Sequence, residues 1–192
     1  MVPRRTWHTC QPIDLHRMAR EYFLAAKRIE LQRLARELGI SRATAYRWAG
    51  SAEQLIGEVV ASLIDDAFDK HIDASQSLKG AERLAFVAEG ILKDLRKLSA
   101  LNRYLKQNPK QGMKVLCTEE SLVRARTSQR FADIIVAEQD GGHLKVEQTP
   151  DFVATALTRL IEPFLYTDTI VGDQPEPALL GELIKWSLSD TK

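Results

Sequence analysis

Residues 30–49 read ELQRLARELGISRATAYRWA, and this stretch decides how the rest of the chain is interpreted. Its first part places apolar side chains at helical spacing on one face, at Leu31, Leu34, Ala35 and Leu38. Gly39 then supplies the left-handed backbone at which many helices end, and Ser41 stands where the N-cap of a second helix belongs. Ile40 is expected to fill the space between the two helices. The stretch therefore predicts a helix-turn-helix, a motif with which proteins read DNA.

The second helix of this motif separates a buried side from an outer side. Ala45 and Trp48 continue the apolar stripe, whereas the outer positions carry Arg42, Thr44, Tyr46 and Arg47. Because a guanidinium can bond O6 and N7 of guanine together, Arg42 is the first candidate for base reading, with a simple phosphate contact as the alternative. On the preceding helix, Gln32 and Arg33 are expected to face the DNA backbone.

The distribution of charge supports this interpretation. Residues 1–49 contain ten Lys or Arg against four Asp or Glu, a balance of +6. Because the whole chain has a net charge of +1, the remaining 143 residues sum to −5. Positive charge confined to the reading head suits contact with phosphates, and an acidic remainder is not expected to wrap DNA. The alternative is that these charges form an ordinary solvated face.

The remaining patterns also favour helices, so we predict an all-α fold of about nine helices with a three-helix head. An amphipathic helix from about Asp14 would brace the helix-turn-helix, and Ser51 would begin a long helix. The predicted parts are a DNA-binding domain, a connector helix, and a ligand-binding and dimerisation domain, at 1–50, 51–73 and 74–192.

Three details of the second domain follow from local signals. Thr118 is predicted to cap a helix that carries Glu119 and Glu120 in its first turn, which ends near Gly141. Thr149 followed by proline marks another helix start. Pro163 is expected to kink that helix.

Residues suited to catalysis or metal binding are scattered. The four histidines stand apart from one another, and Cys10 and Cys117 lack ligand spacing, so we predict no catalytic role, no metal and no cofactor. Isolated cysteines suit a reducing cytoplasm, and no apolar run is long enough to cross a bilayer. We therefore predict a cytoplasmic protein without a membrane partner. Neighbouring aspartates are expected to form a solvated face, at Asp65, Asp66, Asp69 and Asp73.

Aromatic and long apolar residues behind the connector are candidates for the lining of an internal cavity. A mainly apolar pocket with a few polar groups would suit an acyl chain with a polar head. The alternative for each residue is that it fills the core. The candidates are Phe86, Arg103, Tyr104, Leu105, Met113, Leu116, Phe131, Phe164 and Tyr166.

Several runs together resemble the tetracycline-repressor (TetR) family of bacterial regulators. They are Leu34 to Ser41, Thr44 to Trp48, and the helix start from Ser51 to Leu55. Two further segments, LNRYL at 101–105 and IEPFLYTDTIVG at 161–172, are similar to the QsdR branch, regulators of quorum-signal degradation.

The resemblance implies an all-helical homodimer that joins through its last two long helices and whose two heads read a palindrome in double-stranded DNA. By position it places Ser41, Arg42, Ala43, Thr44, Tyr46 and Arg47 at the DNA. The sequence departs from the family at two positions. Ala52 stands where a phosphate-binding lysine is common, and Ala49 replaces the usual aromatic residue. Arg47 or the amino-terminal Arg4 and Arg5 would have to supply that contact.

Taken together, the sequence predicts a transcriptional regulator, and a repressor rather than an activator, released by a small, largely apolar effector such as an acyl lactone or fatty acyl compound. One alternative is a helical enzyme or carrier in which the head is an interaction module. Another is a structural DNA-binding protein without an effector. The absence of clustered acid, base or metal-binding residues argues against the enzyme.

Overall fold

The computed structural model of the chain describes residues 10–118, 120–170 and 175–189, and it describes no side chains at 166–170. These residues contain no strand, and they form ten helices, so the predicted all-α fold is confirmed. The helices are α1 Pro12–Leu24, α2 Leu31–Glu37, α3 Arg42–Ala49, α4 Ala52–Ala74, α5 Gly80–Lys97, α6 Ser99–Gln107, α7 Pro109–Cys117, α8 Leu122–Asp140, α9 Pro150–Ile170 and α10 Pro177–Leu188. The amino-terminal arm with Arg4 and Arg5 lies outside the described residues.

Helices α1 to α3 form the head, and local sequence signals set their ends. Gly39 has a φ of +67°, which allows the chain to turn sharply between α2 and α3. Ser41 then caps α3, because its Oγ accepts a hydrogen bond from Thr44 N at 3.0 Å. Ser51 caps α4 in the same way through Gln54 N, also at 3.0 Å. The predicted helix-turn-helix and both predicted caps are confirmed.

Helix α4 is the longest helix of the described residues and joins the head to the helices behind it. Its 23 residues give it a length of about 34 Å. It packs against α1 and α3 at the head and against α5, α7 and α8 behind it. One apolar core extends from Leu15 in α1 to Leu188 in α10. The division into parts at 1–50, 51–73 and 74–192 stays a prediction.

The start of α8 differs from the prediction. Thr118 follows α7 rather than capping α8, and its hydroxyl donates back to Lys114 O at 3.0 Å. Helix α8 begins at Leu122, with Ser121 as its N-cap. The Ser121 hydroxyl also donates to Val115 O at 2.6 Å, and this bond to α7 makes it the better-placed cap. At α9 the predicted cap is present, since Phe152 N donates to Thr149 Oγ1 at 3.3 Å.

The aspartates of α4 lie on a solvated face, as expected, and three of them also form ion pairs there: Asp66 and Asp69 are exposed, and Asp65 is half-buried. Asp66 pairs with Arg20 of α1. Two other aspartates pair with α8: Arg126 Nη1 lies 3.0 Å from Asp65 Oδ2, and Arg130 pairs with Asp69. The matching spacing of 65 and 69 on α4 and 126 and 130 on α8 shows that the two helices run parallel. Asp73 is exposed.

Glu138, in the last turn of α8, joins that helix to the turn between α4 and α5. Its side chain is only 2% exposed, and it accepts bonds of 2.7 Å from both Gly80 N and Arg83 Nη1. Burial alone would raise the pKa of Glu138, but the bond from Gly80 and the Arg83 guanidinium hold it below its ordinary value. Arg83 Nε also donates to Ser75 Oγ at 3.3 Å, so the end of α8, the start of α5 and the C-cap of α4 are held together.

Candidate nucleic-acid interface and internal cavity

The outer face of α3 is exposed and bears the residues that the sequence singled out. Ser41, Arg42, Ala43, Tyr46 and Arg47 are exposed, with Tyr46 at 48%, while Thr44 is half-buried. The opposite face is anchored, because Ala45 is fully buried and Ala49 is 5% exposed. A short helix held by one face presents the other to a groove of DNA without needing to rearrange.

Two cations of this face are available to a ligand. Among the described residues, Arg42 and Arg47 form no ion pair. Gln32 of α2 is also exposed. Arg33, by contrast, belongs to the head's own packing, since its Nε donates to Glu37 Oε1 at 3.1 Å and its guanidinium lies over the Tyr22 ring. Hydrogen bonds from Tyr22 and Arg33 lower the pKa of Glu37, which keeps this cluster charged and fixed.

The second candidate site is a cavity inside the helices behind the head. The space inside it for the centres of water-sized spheres is about 50 Å³. This is small beside typical small-molecule sites of roughly 300–1,000 Å³, so a ligand would have to widen it. Helices α4 to α9 all contribute to its wall, and most of that wall is apolar. Ile64 of α4 and Phe131 of α8 both line it, and Phe131 packs edge-on against Phe68 of α4 at 4.9 Å between ring centroids.

The cavity wall contains one complete ion pair. Arg124 of α8 binds both carboxylate oxygens of Glu162 of α9, with Nε–Oε1 at 2.6 Å and Nη2–Oε2 at 2.9 Å. Arg96 also lines the cavity, but its guanidinium donates to two backbone carbonyls, Pro175 O at 2.7 Å and Phe164 O at 2.8 Å. Three uncharged polar side chains complete the set: Asn102, Thr127 and Thr158.

The residues predicted to line the cavity are distributed over several environments. Leu105, Leu116 and Phe131 lie in its wall. Phe164 is buried in the core and approaches the site only through its carbonyl, which accepts from Arg96. Phe86 and Met113 lie on the surface, 39% and 38% exposed.

The remaining predicted residues lie elsewhere. Arg103 and Tyr104 line a separate groove between α6 and the turn that follows α1. Burial, with a smaller contribution from Glu53, raises the pKa of Tyr104 to about 12. The side chain of Tyr166 lies outside the described residues.

The charged residues of the cavity were missed because their pairing joins positions far apart in the sequence. A periodic signal was nevertheless present. Arg124, Thr127 and Phe131 share one face of α8 at helical spacing, and Thr158 and Glu162 do the same on α9. Polar residues on the inward face of a buried helix therefore indicated the cavity better than aromatic residues did.

The family assignment follows from the second part of the chain. Residues 79–188 match the model of the tetracyclin repressor-like, C-terminal domain. The chain belongs to the TetR family of transcriptional regulators. This agrees with the helix-turn-helix that precedes the matched region.

Solved TetR-family structures have the same fold. The transcriptional repressor QsdR from R. erythropolis superposes with a TM-score of 0.86 at 24% identity, over 94% of this chain and 95% of that one. The repressor AlkX from Dietzia sp., implicated in biodegradation of n-alkanes, gives 0.66 at 14% identity over 95% and 94%. The regulator FadR from Bacillus subtilis, in complex with stearoyl-CoA, gives 0.56 at 11% identity over 95% and 100%. No curated protein sequence matches this TetR-family chain.

Within the described residues, no helix is long and apolar enough to cross a membrane. In that same part of the chain, no group of three or more His, Cys, Asp or Glu side chains is placed to hold a metal ion.

Proposed function

We propose that this TetR-family regulator is a homodimeric repressor whose α3 helices read a palindromic operator and whose α4–α9 cavity binds the effector that releases it. The face of α3 carries the proposal, because its cations Arg42 and Arg47 are exposed while the opposite side is locked in the head. The proposed DNA-contacting residues are Gln32, Ser41, Arg42, Ala43, Thr44, Tyr46 and Arg47.

Contact with the phosphates would come mainly from Arg47. Ala52 begins α4 at the position where the family commonly has a lysine, and an alanine cannot bind a phosphate through its side chain. The backbone N–H groups at the start of α3 add a favourable dipole for a phosphate there.

The effector we propose is small and mainly apolar, an acyl compound whose chain would lie against the apolar wall of the cavity. The wall supports this, since it is built largely from leucine, isoleucine and phenylalanine. The FadR structure holds stearoyl-CoA within a similar fold, which supports the same class.

Release would proceed through α4. The cavity touches α4 at Ile64, and α4 is bound to the head by the pair of Asp66 with Arg20 and by a 3.0 Å bond from Arg20 Nη1 to Ser62 Oγ. A shift of α4 moves the head with it. Because two half-sites lie about 34 Å or a multiple apart on one side of the duplex, a small change in head separation lowers operator affinity.

A mobility-shift experiment tests the proposal. The wild-type chain is titrated into a fragment of the DNA upstream of its own coding sequence, at a stated salt concentration, with and without acyl esters. We expect a specific complex that the ester dissociates. The proposal fails if the protein binds this DNA no better than an unrelated fragment, or if ligand-saturated and ligand-free protein bind it equally.

A further inference from the structure

The ion pair of Arg124 and Glu162 occupies the place where a charged ligand would be held. The two side chains are only 11% and 16% exposed, and the pairing is bidentate, the strongest arrangement between these groups. Arg124 therefore already holds a carboxylate, which comes from the protein itself. A ligand carboxylate would have to compete with Glu162 for this arginine.

A charged ligand would have to break this pair. A ligand carboxylate on Arg124 would displace Glu162 and leave its negative charge beside a second one in an apolar cavity. A ligand ammonium on Glu162 would leave Arg124 without a counter-ion. Either exchange strands a buried charge, and a stranded charge costs more than a new pair returns.

An uncharged polar group has hydrogen-bonding partners in the same cavity. The hydroxyls of Thr127 and Thr158 each donate to a backbone carbonyl of their own helix at 2.8 Å, which leaves their oxygens as acceptors. Asn102 donates to Arg96 O at 2.6 Å through its amide nitrogen, and its amide oxygen accepts. An alcohol or an amide N–H can donate to the threonine oxygens, and the second N–H of the Asn102 amide can donate to the carbonyl of an ester or amide. An uncharged polar group can therefore be bound without disturbing the ion pair.

Arg96 is the one cation in the wall that has no carboxylate partner among the described residues. Its guanidinium is held by the carbonyls of Phe164 and Pro175, so it fastens the end of α5 to α9 and to the segment before α10. An anion at Arg96 is the competing arrangement, and the experiment below includes it.

We propose that Glu162 is a specificity-determining residue, so that the cavity takes an uncharged amphiphile, an apolar chain with an ester, amide or alcohol group, and excludes the matching carboxylate and amine. This inference rests on the proposed function, since the ligand is the effector of the regulator.

The first test compares three probes of equal chain length on the wild-type protein: methyl octanoate, octanoate and octylamine at pH 7. Isothermal titration calorimetry measures each affinity. We expect methyl octanoate to bind about tenfold or more tightly than either charged probe. If octanoate binds as tightly as the ester, the inference is overturned. If octanoate binding is then lost in Arg96→Gln, Arg96 is the residue that holds the anion. Binding of none of the probes overturns it as well.

Two substitutions test the inference by gain of function. Glu162→Gln frees Arg124 for a ligand, so octanoate should gain about tenfold relative to methyl octanoate. Arg124→Gln leaves Glu162 free and should favour octylamine by a similar factor. Glu147→Gln removes the same charge from an exposed loop, and it should bind the three probes in the same order of affinity as the wild type. Folding is checked by circular dichroism. If folded Glu162→Gln binds the three probes in the same order of affinity as the wild type, the inference is overturned. If a variant does not fold, the wild-type comparison decides.

Mobility shifts on the same samples separate this inference from the proposed function. If octanoate releases the operator as well as methyl octanoate does, the charge preference fails while the ligand-responsive regulator stands. If the protein forms no specific complex with the operator, the proposed function itself fails.

Discussion

At the scale of single residues, Arg42 is the side chain whose role in DNA recognition can be tested most directly. It is exposed at the first position of α3, and it has no ion-pair partner among the described residues. A bidentate contact to guanine discriminates against another base by about 1 to 3 kcal/mol. We therefore expect Arg42→Ala to weaken operator binding by that amount and to relax the preference at one base pair, measured by fluorescence anisotropy on operators changed at single positions.

The control for this prediction is Lys145→Ala, which removes the same charge from the exposed loop between α8 and α9. That variant should bind every operator as the wild type does. An equal loss of affinity on all sequences in Arg42→Ala, with a shallower salt dependence, would show a phosphate contact in place of base reading.

Residue-level features were predictable from the sequence where neighbours along the chain decide them. The caps Ser41 and Ser51 are fixed by the residues that follow each of them, and the turn at Gly39 depends on its own backbone. The pair of Arg124 and Glu162 joins positions 38 apart, on different helices. Periodicity could place each residue on an inward helix face, but nothing local to either residue specifies their pairing.

At the scale of helices, the elements that could be predicted are those whose position depends on residues close together in the sequence. Local signals located α1, α4 and α9: one apolar face was enough to recognise α1, and the cap residues Ser51 and Thr149 marked the starts of α4 and α9. They failed at the start of α8, where Thr118 and Ser121 are both good caps and the bond from Ser121 to Val115 O on α7 favours the second. The ion-pair partners of the α4 aspartates lie on α1 and α8, so they were not predicted either.

The parallel pairing of α4 with α8 gives an element-scale prediction. Arg126 and Arg130 of α8 hold Asp65 and Asp69 of α4, and α8 also contributes Phe131 to the cavity. In the double variant Asp65→Ala, Asp69→Ala, we expect an effector to weaken operator binding by a smaller factor, because α4 no longer follows α8. Couplings between sites are typically about 1 to 3 kcal/mol, so the loss is measurable as a ratio of operator affinities with and without methyl octanoate.

Asp73→Ala is the matched control, since Asp73 is exposed on the same helix. It should leave the coupling unchanged. If the double variant responds to the ligand as fully as the wild type, while remaining folded, the ion pairs do not carry the signal.

At the scale of the whole molecule, the last two helices expose apolar side chains that a monomer would leave in water. Phe152 of α9 is 63% exposed, and Leu179 and Trp186 of α10 are 49% and 77% exposed. Leu179, Leu183 and Trp186 follow one another at helical spacing, so they form a stripe. Two copies of such a surface can bury each other about a two-fold axis, which also orients the two heads for a palindrome.

Trp186→Glu should therefore separate the dimer. A large aromatic side chain at the centre of an interface commonly contributes about 2 to 4 kcal/mol, and a buried carboxylate adds a further cost. We expect sedimentation equilibrium to show a monomer where the wild type is a dimer, with weaker binding to the palindrome and unchanged binding to a half-site. Val136→Glu, at an exposed apolar position of α8, should remain a dimer. If Trp186→Glu remains a dimer and Val136→Glu becomes a monomer, the dimer interface lies on α8 and not on α9 and α10.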